Sequence, residues 1–486
     1  MKFNDIREFL AELEKRKLLI RVKKEVSTDL EISEIMDRHV RSGGPAVVFE
    51  NVKGYDMPVI ANLYGTRERI AIGLGGGEDH FKSLGDFIAF LQKPKPPEGI
   101  RDAISKLPFI KKMLDLSPKT VSKAPCQEVV LTGDDADLTK LPIIKCWPDD
   151  VGPQITWPLV ITQAPDGGPY NVGVYRMQLL DKHRAIMRWL RQRGGAYHQM
   201  LWEKETNEPM PVAVALGCEP ATTIGAVTPV PEHVGEFQFA GVLRRQAVEL
   251  VKCKTVPLKV PSTAEIVIEG EIIKGEMADE GPFGDHTGYY NASEPFPVFR
   301  VKAITHRKNP MYLTTITGRP PKEDAVIGTV LNTMYLPSLQ LQFPEVVDFS
   351  LPMEAVSYRI AVVSIKKQYP GHARRIMMGI WGVLKQFMYV KFIIVVDEDI
   401  NVHDWKDVIW AMSTKVDPIR DTVLINDTPI DYLDFASPKD GLGSKMGIDA
   451  TNKIDSEITR EWGSQIDMTD DIKELVTKKW KDYGFE

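Results

Sequence analysis

From residue 125 to about residue 307 the chain is cut into short β-rich runs by glycine and proline. Val, Ile, Thr and Tyr recur at 129–131, 158–162, 171–180, 185–190, 212–216, 264–273 and 298–305. These residues favour a pleated, half-buried surface, and Gly/Pro clusters between them supply turns. The pattern predicts a mostly antiparallel sheet or barrel. The flanks read differently. Residues 5–17 carry apolar positions at helical spacing, and 18–22 read as a strand. Ser27-Thr28-Asp29 offers a cap for a helix running through Val40, and 45–52 and 58–64 are short β-rich runs. After Ala325, the apolar runs 361–365 and 392–396 have the texture of strands buried on both faces, with helical stretches such as 372–387 between them.

The expected architecture is therefore α+β and multidomain. An α/β N-terminal module covers 1–92, and a linker with a helix covers 93–124, opened by Lys93-Pro94-Lys95-Pro96-Pro97-Glu98-Gly99. A central β domain spans 125–325, a C-terminal α/β module 326–455, and a helical tail 456–486. A chain of 486 residues accommodates that many units. In the tail, Ile472, Leu475, Val476 and Trp480 share one helix face. That face docks on the chain or on a sister subunit, or else lies on a membrane surface; its mixed charges favour docking.

Charge and cysteine usage exclude other classes. A net charge of −6 speaks against a nucleic-acid binder. No apolar signal core opens the chain, and no apolar run is long enough to span a bilayer. The four cysteines form no metal or disulfide spacing, as in a reduced, cytoplasmic protein. Gly75-Gly76-Gly77 lacks the Lys-Ser/Thr of a phosphate loop and precedes Glu78 and Asp79, so it reads as a flexible turn.

Three stretches offer chemistry. The segment 278–291, Ala-Asp-Glu-Gly-Pro-Phe-Gly-Asp-His-Thr-Gly-Tyr-Tyr-Asn, is a loop by its glycines and proline. Its Glu280 and Asp285 are either a solvated turn or a carboxylate pair placed for proton transfer. The runs flanking the polar turn Asp181-Lys182-His183 read as a hairpin, although Arg184, Arg188 and Arg191 would also share a helix face. With Arg176 and Arg193 these arginines are either solvated surface or an anion site, where the Arg193-Gly194-Gly195 turn lets backbone N–H groups approach a phosphate. Glu236, among apolar residues, is either a helix N-terminal acid or a ligand for a hard cation such as Mn²⁺ or Mg²⁺. His198 and His286 are the nearest histidines, and neither is diagnostic alone.

Together these motifs resemble the UbiD-type decarboxylases that depend on prenylated FMN, in particular their quinone branch. The likeness covers nearly the whole chain. It rests on Asn171-Val172-Gly173-Val174-Tyr175-Arg176, Ile186-Met187-Arg188-Trp189-Leu190, Arg193-Gly194-Gly195, the run 225–231, the run 280–290, Thr317-Gly318-Arg319-Pro320-Pro321 and Gly443-Ser444-Lys445-Met446-Gly447. The resemblance implies a central split β-barrel of flavin-reductase type that holds the cofactor, and a C-terminal module used in oligomerisation. It implies prenylated FMN bound by Val174, Tyr175, Arg176, Arg188, Trp189, Leu190, Arg193 and Gly194. It further implies a divalent metal, usually manganese, on Asn171 and Glu236, with K⁺ as a further ion, and a catalytic set of Glu280, Arg176 and Asp285. The implied reaction is decarboxylation of 4-hydroxy-3-polyprenylbenzoate in ubiquinone biosynthesis. Implied partners are a flavin prenyltransferase as cofactor supplier and sister subunits in a dimer-based oligomer or hexamer. A lipid-tailed substrate implies loose peripheral membrane contact.

Two departures matter. The acrylic-acid branch often has Glu where this chain has Asp285, and it uses a His as third metal ligand; His198 lies near that place but is left unassigned. A regular strand would put Asn171 and Arg176 on opposite faces, and a bulge at Gly173 would reconcile them. Burial beside a flavin and proximity to Glu280 are expected to keep Asp285 protonated as the proton donor, with Arg176 holding Glu280 ionised. The rival readings are a reversible decarboxylase of another hydroxylated aromatic acid and a non-catalytic flavin-binding scaffold.

Overall fold

The computed structural model describes residues 2–92, 116–190, 193–228, 235–356, 358–383 and 387–485. The linker expected at 93–99, the helix expected to follow it, Arg191 and the end of the 225–231 motif lie outside the described residues.

The chain opens with the helix Ile6–Lys15, capped by Asp5, whose side chain accepts from the Glu8 N–H. It buries Ile6, Phe9, Leu10 and Leu13, the i, i+3, i+4, i+7 stripe of the sequence. The strand Leu19–Val22 pairs in parallel with Ala46–Phe49, which pairs with Val59–Ala61. The helix Glu31–Arg41 has Leu30 at its N-cap, with φ +65° and no side-chain cap. Ser27-Thr28-Asp29 is therefore not the cap the sequence predicted. Ser27 instead turns inward on its own segment, its hydroxyl accepting from Asp29 N at 3.0 Å. The fourth strand of this sheet, Tyr312–Leu313, comes from far along the chain and pairs in parallel with Val59–Ala61.

The central sheet has nine strands, and every pairing is antiparallel. Its order runs Gln154–Ile155, Met177–Leu179, Arg184–Met187, Glu294–His306, Ile266–Glu280, Met210–Leu216, Leu159–Gln163, Tyr170–Val174, with Val129–Thr132 added beside Glu294–His306. The hairpin reading of 177–187 holds, with Leu179 opposite Ala185. Register breaks at Glu269/Gly270 and Ile272/Met277 bend the two longest strands. At the first, a Cβ on Gly270 would sit 2.1 Å from Arg300 O, so the strands approach there only with glycine. The sheet curls as an open structure, with Gln154–Ile155 and Tyr170–Val174 at the ends of the order.

The bulge expected at Gly173 is absent. The register of Tyr170–Val174 against Leu159–Gln163 is unbroken from Tyr170↔Gln163 to Val174↔Leu159. The strand instead ends at Val174 and a new one begins at Met177. Arg176 sits in the break, and this, not a bulge, frees its direction from that of Asn171.

In the C-terminal module Ile360–Ile365 and Phe392–Asp397 lie side by side in parallel, and Leu442–Ala450 continues the parallel core. Val346–Ser350 and Thr422–Pro429 close the edges antiparallel. The long helix Glu323–Gln342 leads into this module and packs on the helix Asp79–Gln92 of the first. The two approach at Gly85, where a Cβ would lie 2.6 Å from Met334 O. The tail helix Asp470–Lys478 buries no side chain, so the alternative in which it docks on its own chain is not realised. Ile472, Leu475 and Trp480 stay exposed. Among the described residues no helix is long and apolar enough to cross a membrane.

Candidate active site

The 278–291 segment joins the two longest strands of the sheet, and Glu280 is the last residue of the first of them. The loop is tight: Asp285 N donates to Tyr289 O at 3.0 Å and Gly288 N to Asp285 O at 2.9 Å. Gly281 and Gly288 hold φ of +89° and +84°, the left-handed region that favours glycine. Asp150 anchors the loop from outside. One of its oxygens accepts from Gly284 N at 2.8 Å, the other from Cys146 N and Trp147 N at 3.1 and 2.9 Å. A Cβ on Gly284 would lie 2.2 Å from the Trp147 ring, so indole and loop backbone are in direct contact.

Arg176 joins both carboxylates. Its Nε meets Glu280 Oε1 at 2.8 Å, Nη1 meets Asp285 Oδ2 at 2.7 Å, and Nη2 donates to Asn291 Oδ1 at 2.8 Å. Glu280 is fully buried and takes a second guanidinium, Arg188 Nη1, at 2.6 Å. Arg188 in turn donates to the Tyr432 hydroxyl, which the C-terminal module supplies. A planar guanidinium with several donors suits this forked arrangement.

Burial alone would raise the Asp285 carboxyl, but Arg176 and His286 outweigh it and hold the group well below the usual carboxylate range. This corrects the expectation of a protonated Asp285. That expectation assigned Arg176 to Glu280 alone, whereas the guanidinium bridges the two acids and neutralises their repulsion. Burial likewise pulls the His286 imidazole down, yet the hydrogen bond and charge of Asp285 raise it above its ordinary value. His286 Nδ1 lies 2.8 Å from Asp285 Oδ1, and on the far side of the ring stands Tyr358, whose hydroxyl donates to Asp431.

A second group of predicted residues gathers about one helix start. Gly194 opens the helix Gly194–Glu205, with Arg193 at its N-cap. A Cβ on Gly194 would fall 1.9 Å from Asn171 Oδ1, and one on Gly195 2.5 Å from the Trp189 ring. The two glycines thus let the helix end press on Asn171 and Trp189. Tyr175 stands edge-on to Trp189, and its hydroxyl accepts from Gly195 N at 3.3 Å. Burial keeps that phenol protonated by raising it.

Beside them lies Glu236, the first residue of the helix Glu236–Arg244, with Oε2 accepting from Val172 N at 3.3 Å. Its helix-terminal position and its nearness to Asn171 hold together, so the two readings do not compete. Burial pushes its carboxyl up to about 7, and no Lys or Arg pairs with it among the described residues. Thr162 Oγ1 links Asn171 Nδ2 at 3.4 Å to His198 Nδ1 at 2.9 Å. Burial lowers His198, leaving a neutral ring able to ligate. Among the described residues no three His, Cys, Asp or Glu side chains cluster as a ready metal site. The donors here are a carboxamide oxygen, one half-buried carboxylate with no cation paired to it among the described residues, and a neutral imidazole. That set suits a divalent cation completed by a further anion.

Not every predicted residue joins. Arg184 pairs with Asp181 at the surface, outside both groups. Asp150, Asn291, Tyr432 and Tyr358 complete the site, and sequence reasoning missed them. Asn291 closes the quoted loop and could have been found there; the others come from distant segments with no local signal.

A buried acid–arginine–acid set is the arrangement of an enzyme that handles protons. Family matches identify which kind: residues 10–88, 119–320 and 325–450 match the N-terminal, Rift-related and C-terminal domains of 3-octaprenyl-4-hydroxybenzoate carboxy-lyase. The chain belongs to this UbiD family, and it is a carboxy-lyase. Among solved structures it is similar to the UbiD-class enzyme HmfF from Pelotomaculum thermopropionicum, in complex with FMN, at 31% identity over 99% of this chain and 100% of the other, with a TM-score of 0.83. It is also similar to vanillic acid decarboxylase from Sedimentibacter hydroxybenzoicus, at 29% identity over 99% of both chains, TM-score 0.83. A 3,4-dihydroxybenzoic acid decarboxylase from Enterobacter cloacae matches at 25% identity, 98% and 100% coverage, TM-score 0.79.

Proposed function

We propose that the protein decarboxylates a hydroxylated aromatic acid with prenylated FMN and a divalent metal, and that its substrate is 4-hydroxy-3-polyprenylbenzoate. The observation that carries the chemistry is Arg176 shared between buried Glu280 and Asp285. The curled central sheet is read as the split β-barrel that holds the flavin. Val174, Tyr175, Arg176, Arg188, Trp189, Leu190, Arg193 and Gly194 would hold it, and Asn171 and Glu236, with His198 as third ligand, would hold the metal against its phosphate. The fit rests on the uncompensated Glu236 carboxylate and on Gly194, whose missing Cβ leaves room at Asn171. When bound, prenylated FMN supplies an electrophilic carbon that takes up the electron pair left as CO₂ departs.

The chain's own residues do the rest. Arg176 orients the substrate carboxylate, and to do so it leaves Asp285. A buried carboxyl without its cation takes a proton, and Asp285 then delivers that proton to the ring carbon. Arg188 keeps Glu280 paired while Arg176 is engaged. A scaffold has no use for this set, which argues against the non-catalytic reading.

A second substrate reading has its own support, since the solved relatives are named for vanillic and 3,4-dihydroxybenzoic acids. Turnover of these acids beside 3-prenyl-4-hydroxybenzoate separates the two. Preference for the unprenylated acids overturns the polyprenyl substrate. Mass spectrometry of small molecules released from protein made with and without a flavin prenyltransferase tests the cofactor. Prenylated FMN is expected only with that partner, and its absence despite the partner and added Mn²⁺ overturns the reading. A homo-oligomer and peripheral membrane contact complete the proposal, the exposed tail helix being a candidate contact for either.

A further inference from the structure

Each decarboxylation replaces CO₂ by a proton, so one proton must enter the site per turnover. Asp285 is 8% exposed and enclosed by Arg176, His286 and its own loop. The route to it is not supplied by Arg176, which holds its protons, or by Glu280, which two arginines bind.

The hydrogen bonds around His286 have one consistent polarity. Tyr358 donates its hydroxyl hydrogen to Asp431 Oδ2. Its oxygen is then left to accept, and His286 Nε2 faces it at 3.5 Å. On the other side Nδ1 faces Asp285 Oδ1 at 2.8 Å, while that oxygen also takes the His286 backbone N–H at 2.7 Å. A ring with an acceptor facing each nitrogen is favoured in its imidazolium form. Three carboxylates surround it from three elements: Asp285 on its own loop, Asp324 at the start of the helix Glu323–Gln342, and Asp431 beyond the strand Thr422–Pro429. The facing cations are Arg176 across Asp285 and Arg359, whose guanidinium lies over the Tyr358 ring. The His286 side chain is 19% exposed, more open than Asp285.

We propose that His286 hands Asp285 its proton once the substrate carboxylate has drawn Arg176 away, and that Tyr358 and Asp431 of the C-terminal module are positioning residues for that imidazolium. The step breaks His286 Nδ1–H and forms Asp285 Oδ1–H, leaving a neutral imidazole and a neutral carboxyl. The imidazole then recovers its proton from water. The inference rests on the reading of Asp285 as proton donor. It also gives the C-terminal module a part in the chemistry: without its Tyr358 and Asp431 in place, the ring loses the partners that favour its charged form.

The test uses holoenzyme prepared with a flavin prenyltransferase, with flavin content measured and 3-prenyl-4-hydroxybenzoate, vanillate and 3,4-dihydroxybenzoate as substrates. His286→Asn keeps a donor to Asp285 but carries no mobile proton. It is expected to lower kcat 10- to 100-fold at pH 8 and less at pH 6, with partial rescue by added imidazole. Tyr358→Phe is expected to move the basic limb of the kcat profile to lower pH, so that its loss of kcat is larger at pH 8 than at pH 6. Independently of activity, NMR titration of labelled histidines, with His286→Asn assigning the signal, is expected to place His286 above an ordinary histidine, and Tyr358→Phe and Asp431→Asn should lower it. A His286→Asn enzyme with full flavin and an unchanged pH profile, or a His286 that titrates below an ordinary histidine, overturns the inference. An active Asp285→Asn enzyme overturns the underlying reading of Asp285 instead.

Discussion

Two acid sites lie in the same domain with opposite electrostatics. Asp285 is enclosed with Arg176 and His286 and is driven down; Glu236 is enclosed with no cation and is driven up, to about 7. Asp285 is buried and Glu236 half-buried, yet burial raises both, so the difference in sign lies in what is enclosed with each carboxyl. The first site is compensated by its own chain. The second has no compensating cation among the described residues. On the proposed reading, side-chain pairing alone separates proton handling from cation binding.

The largest test of this contrast removes the shared cation. Arg176→Ala leaves two buried carboxylates with Asp285 lacking its guanidinium, a loss of about 3–5 kcal/mol in unfolding stability. Chemical denaturation should show it, and turnover should disappear. Asp285→Asn is milder in fold and severe in function: kcat should fall about 10²- to 10⁴-fold, with flavin content unchanged. Wild-type turnover in that variant would remove Asp285 from its role.

Glu236 sharpens the other half. With its folded value near 7 and an ordinary value of 4.5, its cost is absent below pH 4.5, grows to about pH 7, and is constant above. Glu236→Gln should therefore stabilise the metal-free protein at pH 8, by up to about 3 kcal/mol, and leave it unchanged at pH 4.5. The same proton competes with a metal. Mn²⁺ affinity measured by calorimetry should rise about tenfold from pH 6 to 8, most of it below pH 7, and then level, and Glu236→Gln should abolish binding. Asp285 has the opposite sign: its stabilisation is present above the ordinary carboxylate value and is lost only in strong acid. The smallest effect belongs to the tail, where Leu475→Ser should change chain stability by no more than about 0.5 kcal/mol, because that helix buries nothing.

Much of the fold was legible because periodicity is a local property. The amphipathic stripe of Ile6–Lys15, the apolar strands Ile360–Ile365 and Phe392–Asp397, and the hairpin about Asp181-Lys182-His183 all stand where the pattern put them. The misses have local causes too. Ser27-Thr28-Asp29 has capping chemistry, but the chain enters that helix through Leu30 at positive φ. Gly173 invited a bulge, yet the register runs through it and the strand breaks two residues later.

By itself, the sequence determined that Glu280 and Asp285 share one glycine-bent loop, that Arg176 and Arg188 lie near a hairpin, and that a mostly antiparallel sheet or barrel lies in the chain between two α/β modules. Turn chemistry and apolar spacing act between near neighbours, so they can be read along the chain. Only the tertiary structure decided that one guanidinium spans both acids, that Asp150 and Trp147 clamp the loop, and that Tyr358, Asp431 and Tyr432 arrive from the C-terminal module. The charge states follow from those arrivals. A carboxyl's ionisation depends on which charges lie within a few ångströms and how much water remains, and neither quantity is a function of position in the chain.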